Sequence, residues 1–111
     1  MIAEQKDLVL LPYPFTDLEN SKVRPALVVS NEVFNKKSRD RIMIPLTTVL
    51  NDAPYSRFIT QDDLQSGKLV KPSRIRADKI FSVEQGKILM KIGRLKEAVF
   101  AQVKIELLKV F

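Results

Sequence analysis

The sequence predicts a mainly β (α+β) fold, a small sheet with a C-terminal α-helix packed on it, and three observations carry that prediction. The apolar residues come in short runs, such as residues 8–11 and 26–29, too brief for helices and rich in branched side chains. Clusters of Pro, Asn, Asp, Ser and Gly punctuate those runs at the spacing of turns. Only after Leu95 does the apolar period lengthen to that of a helix. With 111 residues the chain forms a single domain, residues 1–111, large enough for one core.

In order, residues 7–11 read as a buried strand that Pro12 and Pro14 stop. Residues 13–23 mix turn formers with Tyr13 and Phe15, a loop long enough to be a candidate for function. Residues 24–30 form a second strand, whose continuous apolar stretch Ala26, Leu27, Val28 and Val29 implies cover on both faces. One helical turn fits residues 31–38, and residues 41–48 return to strand, with Pro45 implying an edge position or a bulge. A turn at Asn51, Asp52 and Pro54 precedes a short strand at residues 57–60. Thr60 with Asp63 has the spacing of a capping box and Gly67 that of a C-terminal stop, predicting a helix between them. Residues 73–83 and 87–95 flank Gln85 and Gly86 as an expected hairpin. Phe100, Val103, Leu107, Val110 and Phe111 then recur on one side of a helix, with Glu97 and Lys109 suited to its dipole. That stripe reads as core, the alternative being a subunit interface.

Composition excludes several classes. Without cysteine there is no disulfide framework, and without histidine as well a conventional zinc site is ruled out. No apolar run reaches the length of a membrane span or of a secretory leader, so the expected location is the cytoplasm. The formal charge is +6, and the surplus is uneven: residues 1–67 hold eight basic and nine acidic side chains, residues 68–111 eleven and four. Such asymmetry suggests an anionic partner, nucleic acid or an acidic peptide, against the plainer reading of a solvated basic face.

The most informative local pattern is Ser73-Arg74-Ile75-Arg76-Ala77-Asp78. On a strand Ile75 and Ala77 point inward, while Arg74, Arg76 and Asp78 share the outer face at a spacing of roughly 7 Å, which lets two guanidinium groups grip one phosphate beside a carboxylate. The competing reading is an ion-pair ladder on a solvated sheet. Lys36, Lys37, Arg39 and Arg41 precede the third strand, and Tyr13, Phe15, Tyr55 and Phe58 fall in or beside loops. Basic grooves with loop aromatics suit single-stranded nucleic acid, so Lys36, Lys37, Tyr13, Tyr55 and Arg74 are candidate contacts to such a strand. For Phe15 and Phe58 the preferred reading is anchoring at the edge of the core.

Together, Lys6-Asp7-Leu8-Val9, Arg24-Pro25-Ala26-Leu27-Val28-Val29-Ser30, Ile44-Pro45-Leu46-Thr47, Lys71-Pro72-Ser73 with Asp78-Lys79, and Ile92-Gly93-Arg94-Leu95 resemble the MazF/PemK family, in the family's order over residues 6–95. The resemblance implies the toxin of a type II toxin–antitoxin pair on a small SH3-like β-barrel. It implies a homodimeric endoribonuclease that cuts single-stranded RNA through a 2′,3′-cyclic phosphate, without metal or other cofactor. By position, Arg24 and Thr47 match the family's catalytic arginine and threonine, Arg76 and Asp78 an arginine and aspartate that some members use, and Thr48 falls in the RNA-contacting stretch. Two departures stand out: Lys6 replaces the usual glycine before the first-strand aspartate, and the histidine that some members carry in the first loop has no counterpart here.

The reaction needs a 2′-hydroxyl deprotonated, extra charge on the phosphorane stabilised and the 5′-oxygen protonated. Asp78 is the best available base, the better if burial raises its pKa, and permanently charged Arg24 and Arg76 suit charge clamps. Thr47 can hydrogen-bond a phosphate oxygen. The plainer readings pair Arg24 with Asp17 or Glu19 and make Thr47 a turn hydroxyl. An antitoxin should offer an acidic extended segment to the same arginines. Two other functions fit the sequence: a non-catalytic gyrase-poison-type toxin of the same fold, and a non-catalytic RNA-binding module.

Overall fold

A computed structural model describes residues 2–12 and 22–111. The loop expected at residues 13–23, with Tyr13, Phe15, Asp17 and Glu19, lies almost entirely outside the described residues. The elements are β1 (Asp7–Pro12), β2 (Val23–Val28), α1 (Glu32–Lys37), β3 (Asp40–Thr47), β4 (Ser56–Ile59), β5 (Leu64–Gly67), β6 (Ser73–Arg76), β7 (Phe81–Glu84), β8 (Met90–Leu95) and α2 (Glu97–Leu108). All eight strands belong to one curled antiparallel sheet in the order β4-β6-β3-β2-β1-β8-β5, with β7 also paired to β3. The mainly β architecture with a C-terminal helix is the one expected. Among the described residues no helix is long and apolar enough to cross a membrane.

The continuous apolar runs are explained by two cores, one on each face of the sheet. Leu8, Leu27 and Ile44 pair across three strands and pack with Leu46, Ile59, Ile75, Leu95 and the helix residues Val99, Phe100 and Val103. Val9, Leu11, Ala26, Val28 and Met43, alternating with them, pack on the other side with Ala3, Phe81, Val83 and Ile88. Burying each Leu or Ile stabilises the fold by about 1.5–3 kcal/mol. α2 covers the first face, and its stripe differs from the expected one. Val99 belongs to it, whereas Val110 and Phe111 lie past the end of the helix and are exposed. The last backbone bonds, Val110 N to Leu107 O and Phe111 N to Leu108 O, have tightened to three-residue spacing, so the periodicity ends before them.

Pro45 is not on an edge. β3 is central, paired on one side with β2 and on the other first with β7, from Asp40 to Met43, then with β6, from Leu46 to Thr47. Pro45 sits in the interval between the two partners, where its missing N–H interrupts neither pairing.

The helix expected at residues 60–67 is one 3-10 turn, Gln61–Asp63, followed by β5. The capping interaction is real, Thr60 N donating to Asp63 Oδ2 at 2.8 Å, but Leu64 is drawn into the core and the chain pairs with β8. Gly67 ends that strand rather than a helix. Its φ is +85°, and a Cβ there would lie 2.2 Å from the Ile92 carbonyl oxygen, so only glycine lets the two strands approach. The expected hairpin is likewise absent: β6 pairs with β4 and β3, β7 with β3, and β8 with β1 and β5. β3 outcompetes the local partner because its two ends bury apolar residues against both β6 and β7.

Lys6 has φ +80°, with its N–H donating to Val28 O and its carbonyl accepting from Leu95 N, both at 3.0 Å. This is the position where the resembling family carries glycine, and left-handed backbone is the reason glycine suits it. Lys6→Gly is expected to stabilise the fold by about 0.5–1 kcal/mol, relief of the left-handed strain outweighing glycine's entropy. Thermal or urea unfolding would show it as a raised midpoint.

Candidate functional site

Strand register assembles the site. Pairs Ala26↔Pro45, Leu27↔Ile44 and Val28↔Met43 fix β2 against β3, and carried two residues further this register sets Arg24 against Thr47. Thr47 is paired with Arg74 of β6, and Arg74 with Phe58 of β4. Directly paired residues share a face, so Arg24, Thr47, Arg74 and Phe58 form a row across four strands, spaced by about 4.8 Å per strand. Arg76, two residues beyond Arg74 on the same face, pairs with Ser56, and Asp78 follows in the turn after β6. The inward residues of this stretch, Ile75 and Ala77, are buried as expected.

The side chains are held in distinct ways. Arg76 grips Asp78 with two bonds, Nε to Oδ1 at 3.0 Å and Nη2 to Oδ2 at 2.9 Å. Arg74 donates Nη1 to Ser56 Oγ at 3.0 Å, has Asp52 at 3.6 Å, and lies over the Phe58 ring, 6.0 Å from its centroid; its Nε is buried without a partner. Arg24 is exposed, and no carboxylate among the described residues lies within 4.0 Å of it. Thr47 Oγ1 accepts from Val49 N at 3.1 Å, which leaves the hydroxyl proton for another acceptor. Thr48 is exposed beside it. The hydrogen bonds from Arg76 hold the Asp78 carboxyl below its ordinary pKa, more strongly than partial burial raises it, so the upward shift that would sharpen it as a base does not occur.

Other candidates are placed elsewhere. Lys36 and Lys37 end α1, beyond the C-terminal end of β2, whereas Arg24 sits near its start; the run of strand between them is roughly 20 Å. Lys36 instead pairs with Glu32 at 2.8 Å and lines a cleft of about 760 Å³ with Lys6, Arg41 and Arg94. Arg41 is buried, its Nε bonded to Ala3 O. Tyr13 lies outside the described residues. Tyr55 is near the row: it is exposed, has φ +58°, and its carbonyl accepts from Ala77 N at 2.8 Å, beside the Arg76–Asp78 pair. Phe58 does not anchor the core edge, being 38% exposed on the row. Ser56 and Asp52, which hold Arg74, carried no signal of their own in the sequence.

A row of arginines and a threonine crosses one face of a curled antiparallel sheet whose other face a C-terminal helix covers, which places the chain among small α+β domains. Among these, the chain belongs to the PemK-like, MazF-like toxins of type II toxin–antitoxin systems, whose family model matches residues 4–111. Similar solved structures share the fold. An endoribonuclease in complex with its cognate antitoxin, from a mycobacterial species, is 17% identical with a TM-score of 0.80, over 97% of this chain and 93% of that one. A MazE–MazF complex from Deinococcus radiodurans is 20% identical with a TM-score of 0.80, over 99% and 96%. The Mycobacterium tuberculosis toxin MazF-mt6 is 17% identical with a TM-score of 0.69, over 94% and 90%. A search of curated protein sequences finds no match.

Proposed function

We propose that this toxin is a metal-independent endoribonuclease that cleaves single-stranded RNA by attack of the 2′-hydroxyl, leaving a 2′,3′-cyclic phosphate. The observation that carries the reading is the alignment of Arg24, Thr47 and Arg74 across three paired strands, with Arg76 and Asp78 beside them. The names of similar structures, an endoribonuclease with its cognate antitoxin and MazE–MazF, support it. Arg24 and Arg76 neutralise the charge that grows on the phosphorane, Thr47 hydrogen-bonds a phosphate oxygen, Asp78 accepts the 2′-proton as the 2′-oxygen bonds phosphorus, and the 5′-oxygen leaves as its bond to phosphorus breaks, taking a proton from solvent water. Thr48, Arg74 and Tyr55 contact the neighbouring nucleotides. The toxin works as a cytoplasmic homodimer, and an antitoxin's acidic extended segment competes with RNA for these arginines.

The test is incubation of pure protein with a defined single-stranded RNA in EDTA, with both new ends mapped. Fragments ending in cyclic phosphate and 5′-hydroxyl are expected. Intact RNA together with blocked DNA supercoiling would replace this reading with the gyrase-poison one, and salt-sensitive binding without fragments with the RNA-binding module.

The Arg76–Asp78 pair gives a second prediction. Asp78 occupies the guanidinium that RNA must use, so Asp78→Asn is expected to tighten binding of a 2′-O-methyl RNA while lowering the cleavage rate by about 10²-fold, the lower range for a positioned base. Anisotropy titration and a rate assay separate the two effects; weaker binding would remove the competition. As for pH, a depressed carboxyl pKa makes the pair's stabilisation present above the ordinary value and lost as pH falls through the lowered one. Asp78 is therefore ionised between about pH 5 and 8, and the cleavage rate should show no inflection from it there.

A further inference from the structure

We infer that Phe58 is a stacking platform for the unpaired base next to the cleaved phosphate, an inference that rests on the RNA-cleaving reading above. Phenylalanine is out of place where it stands: the row it shares is otherwise polar or charged, and it is 38% exposed beside Arg74, with Arg76 diagonal to it. Arg74 covers one side of the ring, 6.0 Å from the centroid. β4 is an edge strand, and among the described residues no further strand pairs with it beyond Phe58. The opposite face of β4 is the one committed to the core, where Ile59 is buried and Arg57 reaches Gln102 of α2. An open aromatic face one strand beyond a phosphate-gripping guanidinium matches the build of RNA, in which each base hangs within a few ångströms of its own phosphate. Base-on-ring stacking needs only a π-face, so the platform fixes the position of the nucleotide with little demand on its identity. Arg74, over the same ring, is also steered by it. Phe58 is thus a positioning residue: it orders the strand so that the adjacent phosphate lies between Arg24 and Arg76.

The alternative, that Phe58 only steadies Arg74, is separated by the substrate. Affinity is measured by anisotropy with a cleavage-blocked 2′-O-methyl RNA containing the mapped site, intact or abasic at the neighbouring nucleotide on each side in turn. Phe58→Leu is expected to weaken binding of the intact RNA about tenfold, within the range for one lost stack, and to leave binding to one of the abasic RNAs unchanged. Phe58→Tyr should restore the affinity, and in the cleavage assay Phe58→Leu should raise KM more than it lowers kcat. Equal loss on intact and both abasic RNAs would overturn the stacking role while leaving the cleavage reading intact. Wild-type protein that binds no RNA would overturn both.

Discussion

Arg24→Ala lowers the rate of RNA cleavage by about 10²–10³-fold, a loss of roughly 3–4 kcal/mol of transition-state stabilisation, typical of one preorganised donor. The effect is large because Arg24 is the row's exposed guanidinium with no carboxylate among the described residues within 4.0 Å, whereas Arg74 and Arg76 each face an aspartate. The substitution should leave the fold alone, since the side chain lies outside both cores. Single-turnover cleavage with matched unfolding curves measures both quantities; an unaltered rate in a folded variant would take Arg24 out of the chemistry. Arg24→Lys should restore only part of the rate, because an ammonium cannot make the two parallel bonds of a guanidinium.

Asp7→Ala is expected to destabilise the protein by about 1–3 kcal/mol, since the Glu4 N–H and the partly exposed Arg94 and Lys91 lose their buried acceptor while water reaches the two cations. Asp7 is fully buried at the start of β1, where it accepts from Glu4 N at 2.8 Å and Arg94 Nη1 at 3.0 Å and forms an ion pair with Lys91 Nζ at 3.1 Å. It thereby ties the N-terminal turn to β8. Denaturant unfolding checks it, and a shift under about 1 kcal/mol would overturn it. Paired removal of both charges, Asp7→Ala with Arg94→Met, should recover part of the loss.

How legible this molecule was in its sequence varied with the range of the interactions. β1, β2 and β3 are legible as strands from their short apolar runs, and β2 as one covered on both faces, but Pro45 points β3 to an edge because the two partners that flank it are distant in sequence. The stretch from Thr60 to Gly67 misled because its helix signals are local, while burial of Leu64 and the close approach to Ile92 are not. The expected hairpin fails for the same reason, the β3 partners of β6 lying about thirty residues away and those of β7 about forty. At the site, outward Arg74 and Arg76 followed from alternation, but their alignment with Arg24 depends on the registers of β2, β3 and β6, which no pattern within one strand encodes. Lys36 and Lys37 looked like part of the same basic groove because composition has no geometry; the length of β2 separates them from Arg24. The residue type of Phe58 points to the core edge, whereas pairing with Arg74 on an edge strand leaves it on the exposed row.

Pro45, at the changeover of β3 from one neighbour to the next, has a consequence for how faithfully the row is aligned. An imino acid in mid-strand acts as an indexing pin: sliding β3 by one place would set it where an amide must donate, and would also exchange Met43 and Ile44 between the two cores while turning Thr47 toward the helix-covered face. Misaligned sheets are penalised twice over, so folded molecules should be uniform in the placing of Thr47 between its two arginines.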